Sequence, residues 1–379
     1  MELSPTTFGV LNQGGGDPMS QQQTLYHWYR CVSNQFCSLS KPQAWVLAAF
    51  SLAVALARRC ALPAAAEALP ICGKPDSLER RWQRFLDNAQ VDWSQGCTAL
   101  ARWVIGALTP TRRVVLLVDE TSLRQKLKVM AVSLAYRGRA IPLAWWCYPN
   151  EHWPMGQVKL VRTLLEWVAP AIAPDMTVVV EMDRGLGNSP TLLRAIAGRG
   201  WYYLVRVTGR VRLRLSDGRE VAFREVVARR GQRWRGAVRA FQTAGWLECW
   251  ALGVWEARYH EPWLLLTNWP QAPSDQYGWR MWEELAFRDF KSGGWQWQKS
   301  RVTDPAHANR LWLVLALAYA WVVSLGTQVL QRPRWWRELT RGRRAQHSVF
   351  ALGLRLLTRW VLRQRRLPFQ FQLVIHGAI

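Results

Sequence analysis

The chain has 379 residues, more than one ordinary domain needs, and half of them are apolar, so two or three domains with a real core are expected. Lys and Arg number 50 against 26 Asp and Glu, a formal charge of +24. A charge this lopsided is self-repelling, and it argues against a disordered tail protein and against an enzyme of small neutral metabolites. It suits a polyanion, and the 25 tryptophans suit it further, since phosphates take the cations and bases stack on indoles. The competing reading is a GC-rich genome, which inflates Arg.

The seven cysteines (Cys31, Cys37, Cys60, Cys72, Cys97, Cys147 and Cys249) are odd in number and contain no Cys-x2-Cys pair. That excludes a zinc ribbon and a secreted disulfide framework, and leaves buried small hydrophobes in a reducing compartment. No signal peptide is visible, and residues 1–22 read as a polar, Gly-rich, mobile tail. The apolar run from Leu311 to Gly326 falls short of the roughly 20 residues of a membrane span. It follows Asp304-Pro305, a helix start, and reads as a buried core helix. His307 beside it reads as structural.

Residues 23–108 read as a helical domain with breaks at Lys41-Pro42, Leu62-Pro63 and Lys74-Pro75. In its last part Asp76 and Glu79 form a candidate capping box. The helix that follows carries Arg80, Arg81 and Arg84 on one face and Leu78, Trp82, Phe85 and Leu86 on another. This face is either a DNA-binding surface or a solvated basic one. From residue 109 the pattern turns to strands: Val114–Asp119, Lys128–Tyr136 and Ala140–Trp146. A helix over Gly156–Val168, a strand over Thr177–Asp183, a helix from Ser189-Pro190 and a strand over Trp201–Val207 follow. That order describes an α/β core with a mixed sheet over residues 109–207. Residues 208–270 read as a β-rich insertion: a hairpin at Asp217-Gly218, a strand over Glu220–Val227, then Arg233–Phe241, Glu248–Ala257 and Trp263–Thr267. The core resumes over residues 271–330, and residues 331–379 form a basic C-terminal segment whose stretch from Arg332 to Arg366 contains one acid, Glu338.

Two strands end in an aspartate, Asp119 and Asp183, and sites in open α/β sheets sit at strand ends. A third acid comes from the segment Tyr277 to Lys291. On a helix at about 100° per residue, Tyr277, Arg280, Glu284, Arg288 and Lys291 fall within roughly 80° of arc, opposite Trp279, Trp282, Ala286 and Phe290. One face is core; the other carries a carboxylate among cations and a phenol. Such a face could bind metal and phosphate, or be a surface laced by i,i+4 ion pairs such as Glu284 with Arg288 or Arg280. Glu283 points elsewhere. Glu181 shares a strand face with Asp183 and could support it, and Glu120 should point away from Asp119.

Tyr277, Arg280, Glu284 and Lys291 fit Tyr-x2-Arg-x3-Glu-x6-Lys without a gap. In this the chain resembles bacterial insertion-sequence transposases of the DDE type over roughly residues 112–326. The resemblance implies a ribonuclease H-like core interrupted by a β-strand insertion. It also implies Asp119, Asp183 and Glu284 as catalytic and metal-binding residues, with Arg184 as the basic neighbour of the second Asp. Two Mg²⁺ about 3.5–4 Å apart would serve cleavage and strand transfer, Mn²⁺ being a plausible substitute. Trp263-Leu264-Leu265-Leu266-Thr267 is similar to the strand of hairpin-forming members whose Trp stacks on a flipped base; an ordinary sheet tryptophan is the plainer reading. Some members carry a Trp after the signature Arg, where this chain has Met281. The implied DNA-binding residues are thus Tyr277, Arg280, Lys291, Arg288, Arg184 and Trp263, joined by Arg80, Arg81 and Arg84 from their basic face. The implied partners are double-stranded DNA at terminal inverted repeats and target, with a second copy in a synaptic complex. The implied place is the bacterial cytoplasm, with no membrane. The alternatives are a transposase-derived DNA-binding regulator without transposition, and a structure-selective nuclease on the same fold.

Overall fold

The computed structural model describes residues 20–109, 111–124, 126–340 and 347–374. Most of the expected tail and parts of the basic C-terminal segment (341–346, 375–379) lie outside the described residues. Ser20 starts α1 (Gln21–Gln35) through a capping box with Gln23, inside the stretch read as tail. Ser40 and Gln43 repeat the device for α2 (Lys41–Ala57). Next come α3 (Leu62–Glu67), α4 (Pro75–Asp87) and α5 (Trp93–Gly106). The expected Asp76 capping box does not form. Lys74 is held extended before Pro75, the proline takes the first helical turn, and Asp76 already lies inside the helix.

After β1 (Leu108–Thr109), the strands β2 (Arg113–Leu123), β3 (Leu127–Tyr136) and β4 (Arg139–Pro149) form an antiparallel meander. Helix α6 (Gln157–Val168) crosses to β5 (Thr177–Met182), which pairs parallel with β2. Short α7 (Arg184–Gly187) and α8 (Pro190–Ala197) lead to β6 (Tyr202–Arg206), parallel to β5. Strand β2 does not end at Asp119. Its pairing with β5 stops at Val118–Met182, but its pairing with β3 runs on to Leu123.

The strands that follow are β7 (Arg212–Arg214), β8 (Glu220–Ala222), β9 (Arg233–Ala240), β10 (Leu247–Val254) and β11 (Trp263–Thr267). The strand expected over Glu220–Val227 breaks after Ala222 into α9 (Phe223–Val226), which buries Phe223. β11 pairs antiparallel with β6, so these strands extend the core sheet into ten strands in the order β4-β3-β2-β5-β6-β11-β10-β9-β7-β8.

The chain then runs through a 3₁₀ segment (Ser274–Arg280), α10 (Met281–Arg288) and a π turn (Asp289–Gly293), so the single α-helix expected over 277–291 is three helical geometries in succession. Helix α11 (Pro305–Gln331) starts on the Asp304 cap. His307 reaches Asp87 at 3.2 Å and ties this start to the end of α4. At 27 residues α11 is long and apolar enough to cross a membrane, longer than the apolar run suggested, yet every residue from Ala308 to Val329 is buried in protein. Helices α12 (Pro333–Leu339) and α13 (Val349–Leu362) follow, and β12 (Leu373–Val374) pairs with β1.

One core holds all of this. Trp28 of α1 stacks on Trp321 of α11 at 4.2 Å, and Phe50 of α2 on Trp82 of α4 at 4.8 Å. The tryptophans mainly fill this core: Trp28, Trp82, Trp145, Trp295, Trp297, Trp312 and Trp321 are fully buried, and among the described residues only Trp153 is an exposed tryptophan. Cys60, Cys97, Cys147 and Cys249 are buried free thiols, and Cys37 is exposed. Arg80, Arg81 and Arg84 lie exposed on α4, with Arg81 over the Trp45 ring at 5.0 Å.

Helices α11 and α13 cross at Gly326 and Gly353. A methyl on Gly326 would overlap the Val349 carbonyl, and one on Gly353 the Val322 carbonyl. Backbone cannot yield as a flexible side chain does, so overpacking here sits at the costly end of about 1–3 kcal/mol or beyond. Gly353→Ala is expected to lower the chemical-denaturation stability by at least about 2 kcal/mol. Ala at the open Gly106 position, where an added methyl meets nothing within 4 Å, is expected to be tolerated.

Candidate active site

The register of β2 and β5 builds the site. Val118 pairs with Met182, so the next residues, Asp119 and Asp183, emerge abreast from adjacent parallel strands. Asp183 caps α7, its Oδ1 accepting the Gly185 N–H at 2.9 Å and the Leu186 N–H at 3.1 Å. Asp119 Oδ1 accepts the Glu120 N–H at 2.9 Å. Helix α10 lays Glu284 over the same place. Asp119, Asp183, Arg280, Glu284, Arg288 and Lys291 line one cavity of about 490 Å³.

Arg280 organises the cavity. It donates to Asp119 Oδ2 at 2.7 Å and to Glu284 Oε1 at 2.7 Å. The ion pair weighed between Glu284 and Arg280 thus forms, inside the cleft. Burial pushes the Asp119 carboxyl up to about 6, against the pull of Arg280 and the Glu120 N–H; Asp183 and Glu284 push it further. Burial opposes the Arg280 charge, but Asp119, Tyr277, Glu284 and Asp183 together outweigh it and raise its pKa. The attraction therefore secures the arginine without offsetting what burial does to the aspartate.

Lys291 enters from the π turn, its Nζ donating to Thr121 Oγ1 at 2.8 Å. Arg288 is exposed at the mouth. Glu120 alternates to the other face of β2 from Asp119, where its carboxylate accepts from Tyr148 and pairs with Lys128 at 2.7 Å; the residue only borders the cavity.

A second cavity of about 240 Å³ shares Asp183 and Arg280 and adds Arg184, Arg206, Trp263, Tyr277, Gly278 and Met281. Tyr259 stacks on Trp263 at 5.4 Å, and Tyr277 meets it edge-on at 5.4 Å. Glu261 joins Arg184 at 3.4 Å and Arg206 at 3.0 Å. Arg80, Arg81 and Arg84 line neither cavity.

Two carboxyls lie behind the cleft, Glu181 on the strand face of Asp183 and Glu283 on the far side of α10. Glu181 is fully buried and accepts from Gln276 at 2.8 Å, while Arg113 donates to Gln276 on the other side. Burial pushes Glu181 up to about 8. Its carboxyl thus anchors the segment just before Tyr277. Glu283 does point away from the cavity, into the core, where Ser133 donates to it at 2.9 Å; burial raises its pKa well above the usual range. The strand face pointed to Glu181; its partner Gln276, a polar residue directly ahead of the signature, was not read from the sequence.

The raised Asp119 pKa has a measurable consequence. Between about pH 4 and pH 6 the folded chain keeps a proton on Asp119 that the unfolded chain releases, so the contribution of Asp119 to stability falls as pH rises through that window and is level above it. Asp119→Asn is expected to be as stable as the parent near pH 4 and more stable at pH 7.5, by on the order of 2 kcal/mol in chelator-containing buffer. Denaturation curves at the two pH values check this; an advantage equal at both would remove the burial argument.

The profile of the Transposase DDE domain family matches residues 110–321, which spans β2 through most of α11 and contains both cavities. Among curated proteins none matches the chain. With more than half of the chain matched, and the matched part being the one that builds this cleft, the chain belongs to the DDE transposase family.

Proposed function

We propose that the chain binds the ends of a DNA insertion sequence and catalyses metal-dependent strand cleavage and strand transfer through Asp119, Asp183 and Glu284. The observation that carries the reading is the meeting of three carboxylates from β2, the end of β5 and α10 in one cavity that Arg280, Arg288 and Lys291 also line. The strand order β4-β3-β2-β5-β6, with β2, β5 and β6 parallel, is compatible with a ribonuclease H-like core, and β7 to β11 with the insertion expected over residues 208–270.

Hard carboxylate oxygens are the donors Mg²⁺ takes, so the donor chemistry fits this metal. Among the described residues no three such side chains converge as a ready-made cluster, and Arg280 spans Asp119 and Glu284 instead. Asp119, Asp183 and Glu284 would hold the metal, which when bound would activate the attacking oxygen and stabilise the leaving one. Arg280, Arg288 and Lys291 would bind the phosphates flanking the scissile bond, duplex DNA at the element's ends and target being the substrate. Two copies would pair the two ends. The buried Glu181–Gln276 joint holds the start of the signature segment against β5, which keeps Tyr277 and Arg280 beside Asp183.

Asp119→Asn, Asp183→Asn and Glu284→Gln are each expected to lower Mg²⁺-dependent nicking of a labelled end duplex by at least about 100-fold, with DNA binding retained, since several kcal/mol of charge stabilisation are lost. A variant that nicks like the parent drops out of the centre.

The second cavity supports a base-holding role for Trp263. Tyr259 already stacks on the indole, leaving the cavity side for a base. Stacking is worth about 1–3 kcal/mol, so Trp263→Ala is expected to slow hairpin formation roughly ten- to a hundredfold while sparing the first nick. Equal losses at both steps, with a lower melting temperature, would make Trp263 a packing residue.

A further inference from the structure

Lys291 reaches the cleft from an unusual backbone. Helix α10 gives way at Asp289 to a single π turn ending at Gly293, and Lys291 is its middle residue. π turns are rare and gather at functional sites, because the wider turn re-aims the side chains it carries. Such a turn needs something to hold it, and here a buried charge does so. Asp289 is 7% exposed, and its Oδ2 accepts from Arg139 Nε at 2.6 Å and from the Tyr319 hydroxyl at 3.0 Å. Arg139 opens β4 and Tyr319 lies midway along α11, so one carboxylate joins three elements. The Asp289 carbonyl also accepts the Trp295 N–H at 2.9 Å, which closes the turn.

We propose that Asp289, gripped by Arg139 and Tyr319, is a positioning residue for Lys291: this buried knot fixes the π turn and so holds the ammonium against Thr121, beside the carboxylates, where a DNA phosphate would meet it. The proposal rests on the transposase reading of the cleft. It assigns a role to three residues outside the Tyr277–Arg280–Glu284–Lys291 spacing, none of which lines the cavity. The geometry runs from the knot to the turn, from the turn to Lys291 Nζ, and from there to Thr121, two residues beyond Asp119 on β2. A purely structural role for Asp289 would stabilise the fold without specific dependence on Lys291.

The test has an arm that needs no activity. In the full chain, reductive methylation of lysines followed by mass spectrometry reads the accessibility of Lys291 against Lys299, an exposed lysine of the same region. Asp289→Asn is expected to speed labelling of Lys291 severalfold and leave Lys299 unchanged. The second arm is a double-mutant cycle on Mg²⁺-dependent nicking. Lys291→Ala and Asp289→Asn are each expected to lose about ten- to a hundredfold, and the double variant no more than the worse single one. Because Asp289→Asn leaves Arg139 buried without its charge partner and can fail to fold, Tyr319→Phe, which removes one hydrogen bond and no charge, runs through the same arms with a smaller expected loss. Losses that multiply in the double variant, or unchanged Lys291 labelling in a folded Tyr319→Phe or Asp289→Asn protein, would overturn the proposal. Asp119→Asn serves as control. If it, Asp183→Asn and Glu284→Gln all nick like the parent, the transposase reading of the cleft fails; if they are inactive while the Asp289 and Lys291 losses multiply, only the positioning role fails.

Discussion

Helix α11 has to be buried along almost its whole length and still answer for the polar groups it carries inward. Its apolar residues provide the surface on which the N-terminal helices, β4 and α13 meet. Four of its polar residues, Asn309, Arg310, Tyr319 and Thr327, each tie a different neighbour. Asn309 accepts the Cys147 N–H at 2.8 Å and donates to the Cys147 carbonyl at 3.4 Å, pairing the edge strand β4 as a further strand would. Arg310 donates to the Leu86 carbonyl at 2.7 Å and the Val91 carbonyl at 3.2 Å, and so holds the segment between α4 and α5. Tyr319 holds Asp289, and Thr327 meets the Tyr136 hydroxyl at 2.9 Å. Buried polar groups are tolerable only when paired, so these bonds also fix the register of everything packed on the helix.

The cleft inherits its rigidity from this arrangement. Asp119, Asp183 and Glu284 stand on β2, at the end of β5 and on α10, none of them a free loop. Behind them lie Glu181 and Glu283, both fully buried and both pushed by burial toward the neutral form. Burial thus disfavours a further charge beside Asp119, and each carboxyl accepts one hydrogen bond, from Gln276 and from Ser133. The carboxylates lining the cavity are Asp119, Asp183 and Glu284, with Glu120 at its border, and Arg280 is the cation placed between Asp119 and Glu284. A polyanionic substrate and a cluster of carboxylates repel each other, so the basic surround of Arg280, Arg288 and Lys291 is what makes the two compatible.

Much of this was legible in the residues alone. Apolar runs, proline and glycine punctuation and alternation located most strands of the large sheet and the helices α4, α6, α8 and α11, because those signals are local. The spacing from Tyr277 to Lys291 located the residues that line the two cavities on one side of a helical segment, because helical geometry converts spacing into a face. What tertiary structure alone decided depends on partners distant in sequence. Strand β2 runs past Asp119 because β3 continues to pair with it after β5 has stopped. The helical segment widens to a π turn at Asp289 because Arg139 and Tyr319, 150 and 30 residues away, hold its carboxylate. Arg280 sits between Asp119 and Glu284 because two strands and a helix converge there. The tryptophans, which composition offered to nucleic acid, mostly went to the core, because burial of a large apolar ring is favourable wherever the packing admits it. Composition and spacing carry the chemistry a residue can perform; which neighbour it performs it on is set by packing across the whole chain.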